Sequence, residues 1–560
     1  MVFARALAQE AAGKNTITKE MIAGAQWVSG IELTEDQIES LQSELNSLHD
    51  SIEKLDEIEL DPQQDFPAIT FQPLYRKPNP TESPLIRVQA TLLSAGKRPD
   101  SDDDLAFLTL TELSALIRDQ QISSLELTTL YLDRLKRFDP MLKCVVNLTE
   151  DLALQQARCA DVEIARGSYR GPLHGIPWGA KDLISVPGYP TTWGIPVFKD
   201  RIIDQTATVA RRLADAGAVL VAKLSLGAIA MGDQWFGGMT RNPWHPKNGS
   251  SGSSAGSASS TSAGLVGFAL GSETLGSILS PSMKCGTCGL RPTFGRVSRA
   301  GCMPLAFSMD KIGPLARCVE DLALVFGAIV GPDGLDPTVS THSLVWPQPE
   351  LDFSSLRIGI LMPRTGETLP DESLEIIRDL GCQLIEVELP TQFPWQSLAK
   401  IIDIEAATVF NELLRSGKTL GWNTWTQSFQ AAQFVTAIDY LNMQRVRRKL
   451  MFAFEEMMSG IDFLWNARDL LYTNFTGHPS VVFPTGVRTV GDREVPQSVV
   501  ATGHLFDEAR LLAFCHAYQR KLTVPMKHPP INDWLVKFQN GKLEDKPTNS
   551  EPKSSPDRDG

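Results

Sequence analysis

The chain has 560 residues, of which 42% are hydrophobic and 21% are charged, as in an ordinary globular protein. Its 53 Lys and Arg against 66 Asp and Glu give a net charge of -13, so direct binding of nucleic acid is not expected. No apolar stretch reaches the roughly 20 residues that a membrane-spanning helix needs, and no secretory signal is recognisable. Eight Cys are too few for a disulfide framework, and these features together predict a cytoplasmic protein.

The first predicted elements are two helices, which would form a hairpin within residues 1–75. The shorter helix covers about residues 18–28, and Thr34 with Gln37 predicts a capping box at the start of the longer one. Apolar residues recur along the longer helix at spacings of three and four: Ile38, Leu41, Leu45, Leu48, Ile52 and Leu55. A hairpin cannot bury this stripe alone, so we expect it to dock on the rest of the same chain.

Two segments are predicted to lack long regular elements. Residues 61–104 contain seven Pro, which exclude a long helix, and we expect this part of the chain to run extended. Within it, residues 76–104 would tether the hairpin to a domain of residues 105–540. The last twenty residues, 541–560, are polar and are predicted to be disordered.

The large domain has the pattern of an α/β protein. Helices are predicted to start at Thr109 and at Ser123, and Pro140 is expected to end the second one. Beyond them, helical stretches alternate with β-branched or apolar runs at 219–222, 356–361, 383–387 and 480–483. We therefore expect one large sheet covered by helices.

A run rich in Gly and Ser covers residues 249–264. A flexible linker is one interpretation, but the run passes directly into the apolar residues 265–270, which favours closely packed backbone instead. Residues 252–256 also match the G-x-S-x-G elbow of α/β-hydrolases, with Ser254 as the nucleophile. That motif needs a strand immediately before it, and residues 242–248 are not expected to form one.

Several motifs in order resemble the amidase signature family over residues 105–530. They are GPLHGIPWGAKD at 171–182, the Gly/Ser run, GSETLGSI at 271–278, CGTCGLRPTFGRV at 285–297 and DKIGPLA at 310–316. The resemblance implies an amidase-signature fold, with a large mixed β-sheet flanked by helices. It also implies hydrolysis of a carboxylic amide to an acid and ammonia or an amine, without metal or cofactor.

The same resemblance implies a Ser-Ser-Lys triad. By position in the motifs, the triad is Lys181, Ser253, whose peptide bond is cis in the family, and the nucleophile Ser277. A Ser hydroxyl needs a base, and a Lys can be that base if burial lowers its pKa. The backbone N–H groups of residues 274–277 (Thr274, Leu275, Gly276 and Ser277) would form the oxyanion hole.

The sequence departs from the family pattern at three places. Leu275 stands where Gly is usual, Glu273 where Asp is frequent, and Leu279 and Ser280 where an Arg is common. A side chain at 275 is compatible with an oxyanion hole if its φ is negative. The missing Arg argues against an anionic substrate group at that point. If Leu275 instead spoils the hole, the chain is a non-catalytic binding protein.

Residues 17–57 have a second resemblance, to the small C subunit of tRNA-dependent amidotransferases. In those enzymes this small protein wraps around a larger one of the amidase family, and here the two would be fused. This resemblance keeps open a second function, the glutaminase component of such an amidotransferase.

Further residues are candidates for the substrate pocket, and a small-molecule amide is the expected partner. Beside the motifs we predict that Gly252, Ser254, Trp235 and His478 contact the substrate. Cys285-Gly-Thr-Cys288 lacks two further ligands at suitable spacing, so we interpret it as core and not as a zinc site. The sequence is compatible with a homodimer.

Overall fold

The computed structural model describes residues 16–61, 63–69, 84–91, 97–361, 371–416, 425–466, 470–491, 493–523 and 527–541. The predicted disordered tail lies outside the described residues except for Gly541, and so do residues 70–83 and 92–96 of the predicted extended segment. No helix of the described part is long and apolar enough to cross a membrane.

The strands are β1 (Ile86–Val88), β2 (Val145–Leu148), β3 (Pro177–Lys181), β4 (Val219–Leu224), β5 (Gln234–Trp235), β6 (Gly238–Met239), β7 (Arg241–Asn242), β8 (His245–Gly249), β9 (Phe268–Glu273), β10 (Cys288–Arg291), β11 (Lys311–Ala316), β12 (Leu344–Trp346), β13 (Arg357–Leu361), β14 (Gln383–Val387), β15 (Phe463–Trp465), β16 (Ser480–Val490) and β17 (Arg493–Gly503).

The helices are α1 (Lys19–Ser29), α2 (Glu35–Asp56), α3 (Asp102–Ala106), α4 (Leu110–Arg118), α5 (Ser124–Leu142), α6 (Glu150–Ala165), α7 (Thr208–Asp215), α8 (Ala255–Ser262), α9 (Leu279–Cys285), α10 (Val319–Ile329), α11 (Asp371–Asp379), α12 (Trp395–Leu398), α13 (Lys400–Val409), α14 (Asn411–Arg415), α15 (Trp425–Ala432), α16 (Ala437–Met458), α17 (Leu470–Thr476), α18 (Glu508–Lys521) and α19 (Ile531–Gln539).

Eleven strands form one mixed sheet, in the order β14-β13-β15-β17-β16-β10-β11-β9-β3-β4-β2. The neighbours β13/β14, β13/β15, β3/β4 and β3/β9 are parallel, and the remaining pairs are antiparallel. Helices cover the sheet, and apolar residues from both layers form two large core clusters. The expected fold, a large mixed sheet flanked by helices, is confirmed.

The centre of this sheet brings three strand ends to one edge. β3 ends at Lys181 and the parallel strand β9 ends at Glu273, so both carboxyl ends lie on the same side. β11 is antiparallel to β9 and begins at Lys311, which lies directly opposite Glu273. Every residue of β3, β9 and β11 is buried, as expected for strands covered on both faces.

Several local signals read from the sequence are confirmed. Thr34 and Thr109 each accept a hydrogen bond from the backbone of the third helical residue, and both form capping boxes. The strands predicted at 219–222, 356–361, 383–387 and 480–483 are present as β4, β13, β14 and β16.

Two predictions about Pro are wrong. α5 continues past Pro140 to Leu142, so this Pro removes one backbone donor from the last turn without ending the helix. The segment 61–104 is not extended throughout, since α3 begins inside it after the N-cap Ser101. β1, also in this segment, pairs with β12 in a separate two-stranded parallel sheet.

The N-terminal hairpin docks on the rest of the same chain, as its apolar stripe predicts. Ile22 and the buried face of α2 form a cluster with Ala431, Phe434 and Val435, at and beyond the end of α15. The Lys400 ammonium donates to the Glu44 carboxylate at 2.9 Å beside this cluster. Burial of the stripe therefore comes from intrachain packing.

We predict that Leu41→Ala weakens this docking by about 2 to 5 kcal/mol, because Leu41 is fully buried between the hairpin and α15. The measurement is denaturant unfolding, combined with limited proteolysis of the hairpin. Glu39→Ala is the matched control on the same helix, because the Glu39 side chain is 70% exposed. Equal protease resistance and stability of the two variants would contradict the docking.

Candidate active site

Lys181 lies at the carboxyl end of β3, enclosed by β4, β9 and the buried helix α8. Its Nζ lies 2.8 Å from Ser253 Oγ, 3.1 Å from Ser254 Oγ and 2.9 Å from Ser272 Oγ. The side chain has no solvent exposure, and no carboxylate of the described residues forms an ion pair with it. Burial without a counter-ion lowers the pKa of Lys181 to about 7.

The turn that presents Ser253 depends on Gly252. The Gly252–Ser253 peptide bond is cis, as the resemblance implies. A Cβ on Gly252 would lie 1.6 Å from the Gly232 carbonyl oxygen, so only Gly fits at this close approach. The Ser251 amide donates to the Asp233 carboxylate at 2.9 Å, and this hydrogen bond fixes the residue that precedes Gly252 in the turn.

The Gly/Ser run beyond this turn is buried helix and not linker. All residues of α8 are buried, and three of its four Ser hydroxyls donate to backbone carbonyls of other elements. Ser257 donates to Leu270 at 2.9 Å and Ser259 donates to Arg241 at 2.8 Å. Small side chains let this helix approach the sheet closely, as a Cβ on Gly256 would lie 2.5 Å from the Cys144 carbonyl oxygen.

Ser254 does not have the surroundings of an elbow nucleophile. Its hydroxyl is fully buried, donates to the Ser272 carbonyl at 3.1 Å and accepts from the Ser272 amide at 3.2 Å. Contrary to expectation, residues 245–249 do form a strand before the motif, but β8 pairs only with β7, outside the central sheet. Ser254 therefore helps to hold Lys181 and has no open face for a substrate.

The loop after β9, residues 274–278, carries Ser277, which is partly exposed. The Ser254 amide donates to the Ser277 carbonyl at 3.0 Å, which ties this loop to the Ser253 turn. The Glu273 carboxylate accepts from the amides of Ile278 at 2.8 Å and Leu279 at 2.9 Å. One buried carboxylate thus fixes the backbone just beyond Ser277.

The backbone of this loop supports the predicted oxyanion hole. Within the described part of the chain, the N–H groups of Leu275, Gly276 and Ser277 donate to no protein acceptor. Gly276 has φ +92, whereas Leu275 is not among the residues with positive φ. Leu275 therefore occupies a position that tolerates a side chain, and the conformation that requires Gly falls on Gly276. The Thr274 hydroxyl donates to Asp310 at 2.6 Å.

The partner of Glu273 is a guanidinium from β10, and no guanidinium stands at 279 or 280. Leu279 is fully buried and Ser280 shares a hydrogen bond with Ser251 at 2.7 Å. Arg291 donates to Glu273 at 2.9 Å, and Asn474 donates to the same oxygen at 2.9 Å. These contacts lower the pKa of Glu273 against its burial.

Two predicted substrate contacts lie in packed surroundings. Trp235 is buried against Phe236 and donates to the Lys143 carbonyl at 3.2 Å. His478 is buried against Phe454, its Nδ1 lies 2.8 Å from Thr476 Oγ1, and burial lowers its pKa. Both side chains pack against aromatic neighbours, and their contact with substrate stays a prediction.

The two Cys of the 285–288 motif are buried in the core, and each thiol has its own hydrogen-bond acceptor. Cys285 Sγ donates to the Ser250 carbonyl at 3.6 Å and Cys288 Sγ donates to the Arg317 carbonyl at 3.4 Å. Burial raises the pKa of both thiols, which disfavours the thiolate form that binds metal.

Sequence reasoning assigned no role to Ser272, Asp310, Arg291 and Asn474. Ser272, Asp310 and Arg291 lie within the motifs quoted above, so a signal for them was present. Asn474 lies 201 residues from Glu273 in the chain, and only the fold brings them together.

The chain is similar in sequence to known amidases and amidotransferase subunits. A family model described as Amidase matches residues 126–468. The A subunit of glutamyl-tRNA(Gln) amidotransferase from Coxiella burnetii is 31% identical over 483 residues, which cover 76% of this chain and 99% of that protein. A putative amidase, AmiD, of Mycobacterium bovis is 31% identical over 466 residues, which cover 77% of this chain and 97% of that protein.

The fold also matches solved structures. Native peptide amidase from Stenotrophomonas maltophilia superimposes with a TM-score of 0.67 at 27% identity and covers 76% of this chain and 98% of its own. An amidase family protein from Bacillus anthracis gives the same TM-score at 26% identity, covering 76% of this chain and 93% of its own. The chain therefore belongs to the amidase signature family of hydrolases, which act on carbon–nitrogen bonds.

Proposed function

We propose that the chain hydrolyses a carboxylic amide through an acyl-enzyme on Ser277, with Lys181 as the base and Ser253 as the proton relay. The observation that supports this most directly is the environment of Lys181. Its amine is fully buried, has a pKa lowered to about 7 and lies 2.8 Å from the Ser253 hydroxyl.

The hydrogen bonds around Lys181 suit a neutral amine. A neutral Lys has two N–H donors and one lone pair. The Ser254 hydroxyl uses its own proton on the Ser272 carbonyl, so towards Lys181 it is an acceptor. With its donors directed to Ser254 and Ser272, the lone pair is left for the proton of Ser253.

In the proposed reaction, Lys181 takes the Ser253 proton while Ser253 takes the Ser277 proton. Ser277 Oγ then attacks the amide carbon, and the carbonyl oxygen becomes an oxyanion near the free N–H groups of residues 275–277. Lys181 then returns the proton through Ser253 to the amide nitrogen. The C–N bond breaks, and ammonia or an amine leaves. Water attacks the acyl-enzyme in the same way and releases the acid.

A second candidate is the glutaminase component of a tRNA-dependent amidotransferase, because several relatives at 31–33% identity are named as the A subunit of such an enzyme. Against it, Leu279 and Ser280 leave no guanidinium at the position where the family often has one. Glutaminase activity that rises when a tRNA-binding partner is added would favour this second function over general amide hydrolysis.

We predict that Ser277→Ala lowers kcat for amide hydrolysis by on the order of 10⁴-fold or more, because the bond to carbon cannot form. Ser253→Ala is expected to leave a trace of activity. Hydrolysis is measured over aliphatic, aryl and peptide amides, and labelling by a fluorophosphonate reports the nucleophile directly.

Ser260→Ala is the matched control, because it also removes one Ser hydroxyl, and the buried Ser260 hydroxyl donates within α8. It should keep both the rate and the labelling. If Ser277→Ala keeps them and Ser254→Ala abolishes them, the elbow hypothesis is right and the proposed nucleophile is wrong.

We predict that kcat/KM falls about tenfold for each pH unit below about 7, because protonation of Lys181 removes the base. The sign follows from the lowered pKa, since the active form is the deprotonated one. Lys181→Met should abolish this dependence together with most of the activity, and EDTA should have no effect. Activity that rises on acidification, or that EDTA removes and zinc restores, would contradict the mechanism.

A further inference from the structure

A cavity of about 240 Å³ lies beside the candidate active site, where β9 ends and β11 begins. Its wall includes Ser272, whose hydroxyl contacts Lys181, and Thr274, the first residue of the loop that bears Ser277. Ser272 and Thr274 therefore connect this cavity to the candidate active site. We call it the Lys311 cavity, after the charged residue at the start of β11 that also lines it.

The Lys311 cavity has mostly apolar walls. Leu183, Met303 and Ile312 are buried parts of its lining. Phe307 and Leu335 also line it and are 51% and 57% exposed, so large apolar side chains reach from the cavity to solvent. An apolar cavity of about 150 Å³ holds benzene, so this one has room for an aromatic ring with a short substituent.

Three of the charged groups in this wall already have partners. Arg299 donates to the Asp336 carboxylate at 2.8 and 3.2 Å. Asp310 accepts from the Thr274 hydroxyl at 2.6 Å and from the amides of Leu305 and Ala306 at 2.7 and 3.0 Å. These groups form part of the wall, but most of their hydrogen-bonding sites are already used and few remain for a ligand.

Lys311 differs from these three groups, because its buried amine lacks a hydrogen-bond acceptor at short distance among the described residues. The side chain is 2% exposed, and its one hydrogen bond to a described residue is a long one, 3.5 Å, to the Thr274 carbonyl. Glu273 lies opposite Lys311 in the ladder, but its oxygens accept from four other donors. A buried amine whose N–H donors have so few acceptors destabilises the folded protein, unless a ligand supplies an acceptor.

We propose that the Lys311 cavity binds the acyl side of an aromatic or similarly sized apolar amide, and that Lys311 determines specificity by donating to an oxygen on that group. This inference rests on the proposed amide hydrolysis for the identity of the ligand. It assigns Lys311 a binding role, distinct from the base Lys181 and the nucleophile Ser277.

An uncharged oxygen fits better than a carboxylate. Besides Lys311, the cavity wall holds one cationic side chain, Arg299, and two acidic ones, Asp310 and Asp336, so its other charges do not favour an anion. Burial also lowers the pKa of Lys311 well below its usual value, which favours the uncharged amine as donor. A ketone, ether or amide oxygen on the apolar group meets these conditions.

The test uses matched pairs of phenylacetamides that carry an acetyl or an isopropyl group at ring position 2, 3 or 4. The two groups are nearly equal in shape, and only the acetyl group offers an acceptor. Binding is measured by calorimetry on the Ser277→Ala protein, so that the result does not depend on turnover. Turnover of the same amides by the unmodified chain then tests the proposed reaction separately.

We expect the acetyl compound to bind about tenfold more tightly than its isopropyl partner at one ring position, as one hydrogen bond to a buried donor allows. Adding Lys311→Met should bring this ratio to about one, and Lys311→Gln, which keeps a donor, should retain part of it. Lys199→Met, an exposed Lys outside the cavity, is the matched control and should leave the ratio unchanged.

Equal affinities at all three positions, no binding of either compound at millimolar concentration, or a ratio that survives in Lys311→Met would each overturn the proposal. Melting temperatures of the variants report whether they fold. If Lys311→Met does not fold, a ratio in the Lys311→Gln protein equal to the unsubstituted value would overturn it as well. Selective binding without hydrolysis would retain the cavity assignment and reject the proposed reaction.

Discussion

The exclusion of both water and counter-ions from the Lys181 amine is the constraint on which the site depends. A strand buried on both faces removes the water, and hydroxyls of three Ser residues supply partners that do not stabilise an ammonium as a carboxylate would. Glu273 and Asp310 are the acidic groups whose charges act on Lys181, and they raise its pKa against the desolvation. A direct ion pair with either would return the amine to its charged form.

The structure keeps those two carboxylates occupied elsewhere. Glu273 binds amides on the far side of Ser277, and Asp310 binds the hydroxyl of Thr274 together with the amides of Leu305 and Ala306. The same contacts position the loop that bears Ser277, the proposed nucleophile. Glu273 and Asp310 thus have two effects. Their hydrogen bonds hold the loop in place, and because they are used there, neither acid forms an ion pair that would charge Lys181.

Local patterns predicted most of the fold, because helix caps and buried strands leave short-range signals. Thr34, Thr109 and the run at 219–222 are examples. Motif order identified Lys181 and Ser253, which the structure brings within hydrogen-bonding distance. The partners of Glu273 were not predictable, because Arg291 and Asn474 reach it only through the register of the sheet and the position of α17. The contact of His478 with Phe454 was not predictable either, because it depends on how α16 packs against the turn that carries His478.

Helix α16 joins the N-terminal hairpin region to the entrance of the Lys311 cavity. On one side Arg445 donates to the carbonyls of Asp65 and Asp61, at 2.6 and 3.0 Å. Two residues further, Arg447 donates to Ser308 Oγ at 2.7 Å, next to Phe307 at the cavity mouth. Binding at the cavity and docking of the N-terminal segment therefore share one rigid element, and any free energy of coupling between them acts equally in both directions. In a single chain that coupling operates at a fixed ratio of one segment to one site, independent of protein concentration.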